Sequence, residues 1–260
     1  MGYVLITGAT GGIGSEFCRQ LVFGNNLLIT GRSEEKLCEL KAKLLKLRPD
    51  AKIEVFSADL TDFNQRESLF AFADQKGIKF SGLINVAGVD TQKEFIKYTH
   101  EKITYQIRVN VESTIAITHG VLLRREKELK ILTVSSMSGT VPMPYFAIYS
   151  ATKCLLNNFF KSLRYEVKDA KITTLMPGAV PTREDIKRDI QLQGLTGKLS
   201  SKPVDFVVKK ALKGLEKTKQ RVIPGAFNKF IYFIEKITPK SIQCRYVAKK
   251  WSKKEKDNFN

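Results

Sequence analysis

The chain is poor in the residues that build metal centres and disulfide frameworks. It has two histidines in 260 residues, His100 and His119, and four cysteines, Cys18, Cys38, Cys154 and Cys244, with no C-x-x-C pair. That spacing offers neither a zinc site nor a redox dithiol, so no metal is expected, and scattered free thiols point to a reducing compartment. Cys154 reads as a small buried hydrophobe. No apolar run approaches the ~20 residues of a spanning helix. The opening Met1-Gly2-Tyr3-Val4 lacks a charged n-region and no cleavage site follows, so no signal peptide is expected. The expectation is a cytoplasmic protein. With 17 glycines, 8 prolines and 43% hydrophobic residues, collagen and long disorder are excluded. A compact chain this long buries roughly 70–75% of the surface its unfolded form exposes, enough for a core without staples.

Acidic residues are the other shortage. There are 26 Asp and Glu against 44 Lys and Arg, a formal net charge of +18. From Ser201 onward 16 basic and 5 acidic residues leave +11, so the first 200 residues hold only +7. The excess is concentrated at the C-terminal end. Charge alone leaves nucleic acid, anionic lipid and acidic proteins open as partners.

What is abundant is alternation of strand and helix patterns. Residues 3–7 read as a strand and 13–23 as a helix; 26–30 and 34–48 repeat the pair, with leucines at 37, 40, 44, 45 and 47. Residues 53–57 give a third strand, and Thr61-Asp62 the start of a third helix. A strand over 82–86, one long helix over 102–125, a strand over 130–134, a helix over 149–167 and a strand over 171–176 follow. Apolar strands alternating with helices predict an α/β fold: a doubly wound parallel sheet of Rossmann type, helices on both faces, in a single domain. Residues 1–224 form its body, with a lid loop about 179–202 containing a short helix near 184–193. A helix over 204–217 and a strand over 221–223 complete it. Residues 225–260 form a basic amphipathic extension that Pro239 divides into two helices.

The first strand runs directly into Thr7-Gly8-Ala9-Thr10-Gly11-Gly12-Ile13-Gly14. Glycines at 8, 12 and 14 permit a tight turn and let a ligand's phosphates approach the helix N-terminus, where unpaired N–H groups favour negative charge. Alone, such a turn is only a strand-to-helix connection; its place in a first βαβ unit gives it weight.

With its spacing Gly-x-x-x-Gly-x-Gly, the chain resembles the short-chain dehydrogenase/reductase family, whose shorter-chain members carry T-G-x-x-x-G-x-G. The resemblance spans about residues 3–223. Asn85-Val86-Ala87-Gly88 matches the family's N-x-A-G at the fourth strand, and Asn110 stands where the family places a catalytic asparagine. Ser136 precedes Tyr149 by thirteen residues, Tyr149-Ser150-Ala151-Thr152-Lys153 is a Y-x-x-x-K motif, and Pro177-Gly178 follows the sixth strand with Thr182 four residues on. The resemblance implies oxidoreductase activity with catalytic residues Asn110, Ser136, Tyr149 and Lys153. It implies a nicotinamide cofactor bound through Gly8, Thr10, Gly12, Ile13, Gly14, Asp59, Leu60, Asn85, Ala87, Gly88, Tyr149, Lys153, Pro177, Gly178, Val180 and Thr182. It also implies a dimer or tetramer paired through the helices over 102–125 and 149–167.

The residue chemistry is consistent with this. Tyr149 and Lys153, four apart, share one helix face. A phenol titrates near 10, so a general acid working near neutrality needs about three units, ~4 kcal/mol, which one cation at ~4 Å supplies at an effective dielectric of ~20. Lys153 is such a cation, and an oxidised nicotinamide adds another. Ser136 can hydrogen-bond a carbonyl oxygen gaining charge. Asn110 does not titrate and is expected to hold a water linking Lys153 to solvent.

The second strand ends in Gly31-Arg32-Ser33, with no carboxylate until Glu34. An NAD enzyme needs an acid there for the ribose 2′-hydroxyl, whereas Arg32 and Ser33 suit a 2′-phosphate, so NADP(H) is the expected cofactor. Asp59 reads equally as an adenine contact, which the family implies, or as a turn carboxylate before Thr61. Met137, Pro142, Met143, Tyr145 and Phe146 crowd the loop before Tyr149, and the lid adds Ala179, Val180, Ile186, Ile190 and Leu192. Together they suggest a lipophilic small-molecule carbonyl or alcohol, such as a 3-oxoacyl thioester or steroid-like ketone. A sugar or polyol dehydrogenase, and a non-catalytic NADP(H) sensor or scaffold, are the alternatives; nucleic acid is disfavoured because no RNA or DNA motif accompanies the charge. In the extension, Phe227, Phe230, Ile231, Ile234 and Ile237 recur at helical spacing among Lys229, Lys236, Lys240, Arg245, Lys249, Lys250, Lys253, Lys254 and Lys256. That face either covers the substrate cleft or contacts an anionic membrane peripherally.

Overall fold

A computed structural model of the chain describes residues 2–252. Seven parallel strands lie in the order β3-β2-β1-β4-β5-β6-β7. They are β1 (Tyr3–Thr7), β2 (Asn26–Gly31), β3 (Ile53–Ser57), β4 (Phe80–Asn85), β5 (Arg125–Val134), β6 (Ala170–Leu175) and β7 (Arg221–Val222). Between them run α1 (Gly12–Leu21), α2 (Glu34–Leu47), α3 (Phe63–Gln75), α4 (His100–Ile107), α5 (Ser113–Leu123) and α6 (Ala147–Glu166). After β6 come α7 (Glu184–Leu192), α8 (Gly194–Ser200) and α9 (Val204–Glu216), and after β7 come α10 (Ala226–Ile237) and α11 (Lys240–Trp251). The doubly wound parallel fold expected from the alternation is present.

Successive strand residues point to opposite faces, and both faces are covered. Val4, Ile6, Leu27 and Ile29 pack with Phe17 of α1, Leu37 and Leu44 of α2, and Val207 and Val208 of α9. Leu5, Leu28 and Leu83 face the other way, onto Leu69 and Phe70 of α3, Ile117 and Val121 of α5, and Leu156 and Phe160 of α6. α2 is capped by Ser33, whose hydroxyl accepts from Lys36 N, and α3 by Asp62, whose carboxylate accepts from Gln65 N.

Two elements differ from the sequence expectation. The long helix over 102–125 begins at His100 and is broken at Arg108–Glu112 by a π turn. α5 then ends at Leu123, and Arg125, expected at the end of that helix, instead opens β5, five residues earlier than the apolar pattern predicts. Arg125–Glu128 are exposed there, so no burial pattern marks them as strand. The lid carries a second helix, α8, behind α7. The C-terminal segment is two helices, with Pro239 between them; Lys253, Lys254 and Lys256 lie outside the described residues.

Sequential strands diverge on either side of β1, since β2 lies to one side and β4 to the other. In an open α/β sheet that switch point opens a crevice at the C-terminal strand edges.

Candidate active site

The crevice is a cleft of about 490 Å³ walled by the loops after β1, β2, β3 and β4. Gly8, Thr10, Gly12 and Ile13 form one side; Arg32, Asp59, Leu60, Ala87 and Gly88 line the rest. Gly8 sits at φ +62, and a Cβ there would stand 2.8 Å from Ala87 N, so glycine is required for the β1 and β4 loops to meet. A Cβ on Gly14 would stand 2.1 Å from Gly8 O, which is how close α1 comes to the end of β1. The N-terminus of α1 has no side-chain cap: Gly11 leaves its first N–H groups to a ligand. These features fit the pyrophosphate of a dinucleotide.

Thr182 of the lid reaches across the cleft, and its side chain fills the place a Cβ on Gly12 would take. Val180 is buried with α1 and α9 and anchors the lid's base. Pro177 O accepts from Met137 N, tying the β6 loop to the Ser136 turn. Gly178 packs tightly on Ser200 O and Asn228. At the adenosine end, exposed Arg32 donates to Tyr105 Oη at 2.7 Å, a brace from α4 that no motif or spacing reveals. Asp59 Oδ1 accepts from Thr61 N at 2.9 Å and Thr61 Oγ1 at 2.8 Å, so the turn role is realised while the residue still lines the cleft.

Asn85 is placed differently from the expectation. It is buried in the sheet, donating to Thr118 Oγ1 at 3.1 Å and Thr133 Oγ1 at 3.3 Å, and thereby fastens β4 to α5 and β5. It supports the Ala87–Gly88 loop from behind.

Tyr149 and Lys153 occupy one face of α6, one turn apart, with the ammonium 5.6 Å from the phenol ring centre. Ser136 lies across from Tyr149, near enough for its hydroxyl to favour the ionised phenol, and its Oγ accepts from Ser138 N at 3.0 Å. Lys153 is almost fully buried and donates to Val134 O at 3.0 Å; above it a Cβ on Gly88 would come within 3.4 Å of Nζ. Asn110, at the π turn, is fully buried. Its Oδ1 accepts from Val89 N at 2.8 Å, while Nδ2 donates to Val89 O at 2.9 Å and Thr152 Oγ1 at 3.1 Å. Both amide hydrogens are therefore engaged, and the side chain braces the Gly88–Val89 turn against α6. A π turn widens the helix by one residue and re-aims a side chain, which is how such turns serve sites.

The electrostatics also depart from the simple expectation. Burial pushes the Tyr149 phenol above its ordinary range, Asp90 adds to the rise, and the Ser136 hydrogen bond and Arg183 oppose it. Burial lowers Lys153 to about 8, with Asp90 opposing. Low dielectric thus weakens the cation that was to acidify the phenol. Asp90, two residues beyond Gly88, was missed, although an acid in the loop ending β4 was a legible signal. It pairs with Arg183 Nη2 at 2.9 Å, linking that loop to the lid. Tyr145, beside the site, holds φ 67, and its carbonyl accepts from Lys93 N at 3.0 Å. The substrate side is apolar: Phe146 meets Tyr149 edge-on at 5.5 Å and Trp251 of α11 at 5.8 Å. Leu192, expected in the lid lining, is instead 67% exposed. Cys154 points to solvent rather than the core.

Comparison with known proteins agrees with this geometry. A profile of the short chain dehydrogenase family matches residues 2–192. An uncharacterized oxidoreductase, DltE, of Bacillus subtilis is 32% identical over 233 residues, covering 84% of this chain and 86% of that protein. A very-long-chain 3-oxoacyl-CoA reductase of Neurospora crassa is 33% identical over 175 residues, 64% of this chain and 52% of that protein, so the match spans about half its length. An 11-beta-hydroxysteroid dehydrogenase-like protein of Arabidopsis thaliana is 27% identical over 244 residues, 92% of this chain and 78% of that protein. Among solved structures, one from a study of 7beta-hydroxysteroid dehydrogenase stereoselectivity superposes with a TM-score of 0.82 at 24% identity, covering 95% of this chain and 96% of that one, which shows a shared fold. The chain belongs to the short-chain dehydrogenase family, oxidoreductases that use nicotinamide cofactors.

Proposed function

We propose that this oxidoreductase interconverts a carbonyl and an alcohol on a lipophilic substrate, using NADP(H). The observation that carries the proposal is the convergence of Ser136, Tyr149 and Lys153 beside a glycine-walled cleft at the switch point of the sheet. A nicotinamide bound there supplies or accepts a hydride. Tyr149 gives a proton to the carbonyl oxygen in one direction and takes it back in the other, and Ser136 donates a hydrogen bond to that oxygen as charge develops. One hydrogen of the Lys153 ammonium goes to Val134 O, leaving two for a ribose hydroxyl and the space below Tyr149. Asn110 is a positioning residue, keeping Gly88 low enough to admit the ring.

Arg32 supports the choice of NADP(H). Its guanidinium stands on the cleft wall, held by Tyr105, with Ser33 next to it and no carboxylate at the strand end. Support for a lipophilic substrate comes from the Phe146 and Trp251 walls, and from relatives named for 3-oxoacyl-CoA and hydroxysteroids. The same walls count against a sugar or polyol. A sensor or scaffold has no use for a complete proton-transfer set. Four free cysteines accord with a reducing, cytoplasmic setting.

Three outcomes follow. Tyr149→Phe is expected to lower kcat/KM by about 10²–10⁴-fold while NADPH binding, followed by fluorescence, is retained; turnover at the wild-type rate would remove Tyr149 from its role. Wild-type protein should prefer NADPH to NADH by roughly ten- to a hundredfold, the value of a charge-assisted phosphate contact of ~1.5–3 kcal/mol. Arg32→Ala should erase most of that preference and leave NADH affinity nearly unchanged. Finally, exposed Ile107, Leu155 and Tyr165 on α4 and α6 suit assembly into a homo-oligomer. Analytical ultracentrifugation should show a dimer or tetramer, and a monomer at every concentration would contradict it.

A further inference from the structure

The last two helices divide their work between two sides. Inward, Asn228 of α10 is buried and donates to Ser200 O at 2.9 Å and Pro224 O at 2.8 Å, and Glu235 accepts from Thr140 Oγ1 at 2.5 Å. Gln243 of α11 is buried and donates to Glu235 O and Thr238 O. Outward, α10 shows a stripe that nothing in the fold covers: Phe230 and Phe233 are each 58% exposed and Ile237 is 64% exposed, at positions i, i+3 and i+7. Ile242 and Tyr246 of α11 and Leu195 of α8 are exposed as well. Scattered apolar side chains on a surface need no explanation, but a continuous ridge on one helix face does.

The charge around this ridge has one sign. Lys229, Lys236, Lys240, Arg245 and Lys249 are exposed on α10 and α11. The only acid between residues 226 and 252 is Glu235, and it is turned toward Thr140. At the N-terminal end of α10 a cleft of about 350 Å³ is lined by Lys210, Lys213, Lys217, Lys219, Arg221 and Lys229, and no acidic side chain lines it among the described residues. The acid at the end of α9 is directed elsewhere, since Glu216 pairs with Lys130 at 2.8 Å. Cleft and ridge are continuous: Ala226 and Lys229 belong to the cleft wall, and Phe230 and Phe233 follow on the same helix.

We propose that this outward face of α10, together with the lysine-lined cleft, docks flat onto an anionic phospholipid bilayer. The ridge enters the acyl boundary, the lysines around it meet headgroup phosphates, and the cleft holds the phosphate of a single anionic lipid. An in-plane amphipathic helix needs no spanning segment, and among the described residues no helix is long and apolar enough to cross a membrane. A second copy of the chain is a poor occupant, because a two-fold pairing would set the lysine clusters against one another. Nucleic acid would satisfy the lysines and leave Ile237, Ile242 and Leu195 unburied.

The docking surface and the catalytic tyrosine share a wall. Trp251, at the end of α11, meets Phe146, which meets Tyr149. On this proposal α11 closes the wall beside Phe146 while α10 faces the lipid. If the substrate is lipophilic, as proposed above, it reaches Tyr149 from the bilayer without crossing water; the docking itself does not depend on that proposal.

Co-sedimentation of the full chain with vesicles, in the absence of substrate and cofactor, tests this. Each cation near an anionic surface strengthens partitioning roughly fivefold, so vesicles of equal phosphatidylglycerol and phosphatidylcholine should bind the protein at least ~tenfold more strongly than phosphatidylcholine alone at low salt, and high salt should abolish the difference. Phe230→Ser/Phe233→Ser/Ile237→Ser and Lys213→Gln/Lys217→Gln/Lys219→Gln should each weaken anionic-vesicle binding ~tenfold or more with unchanged Tm and NADPH affinity. Wild-type protein left in the supernatant with anionic vesicles at low salt would overturn the proposal. So would serine variants that sediment like wild type, or light scattering showing that the ridge holds a dimer which the serine variant dissolves. Filter-bound RNA retained equally by wild type and serine variant, with no vesicle binding, would assign the charge to nucleic acid instead.

Discussion

The site depends on an ammonium group placed where water scarcely reaches it. Lys153 lies at 4% exposure beneath Gly88 and Asn110, with Val134 O as its hydrogen-bond acceptor. Burial lowers its pKa to about 8, below the ordinary lysine value near 10.4. Between those values the unfolded chain holds the proton more firmly than the folded one, so stability rises as the pH climbs through that window, and the penalty is fully present below about pH 8. At neutral pH the fold accepts a loss in keeping this cation. Its value is chemical: a charge close to the Tyr149 ring in a medium that screens it little.

Local irregularities gather around the same place. The π turn at Arg108–Glu112 carries Asn110, and Tyr145 sits at a positive φ that a bulky residue rarely adopts. Thr91 Oγ1 and Gln106 Oε1 are buried with no hydrogen-bond partner. All four lie in the loops after β4 and β5 or in the helix facing them, although Thr218 also holds a positive φ and Thr30, Asn85 and Asn157 also bury an unpartnered oxygen. Functional sites are where such violations concentrate. The sheet behind them pairs β1 with β2 and β5 with β6 without a break, and its register shifts, at Tyr3/Val4 and Phe80/Gly82, fall at the strand starts away from the loops above.

These differences explain what could be read from the amino acids. Strand and helix patterns such as those of Val4–Ile6 and Leu37–Leu44 carry a period, so the sheet and its covering helices were legible, as were Gly8, Tyr149 and Lys153 through their spacing. A π turn has no period of its own, and the first residues of β5 are solvent-exposed, so the break at Asn110 and the strand start at Arg125 were hidden. Asn85 and Asn110 show that a motif position gives proximity without giving the direction of a side chain: one faces the interior of the sheet, the other clamps Val89. Burial is the property of Tyr149 that its spacing does not reveal. A phenol and an ammonium four residues apart suggest an acidified tyrosine, yet desolvation opposes ionisation of the one and protonation of the other.

The central claim is accordingly that Tyr149 is held protonated in the free protein and needs the positive charge of an oxidised nicotinamide, added to that of Lys153, to titrate in a working range. NMR of the protein labelled with ¹³C at the tyrosine ζ carbon, with Tyr149 assigned by its loss in a phenylalanine variant, measures this directly. In the free protein the Tyr149 signal should remain protonated beyond the ordinary phenol value of about 10, and in the presence of saturating NADP⁺ its titration should fall below that value. A Tyr149 signal that titrates at the same pH with and without NADP⁺ would contradict the account.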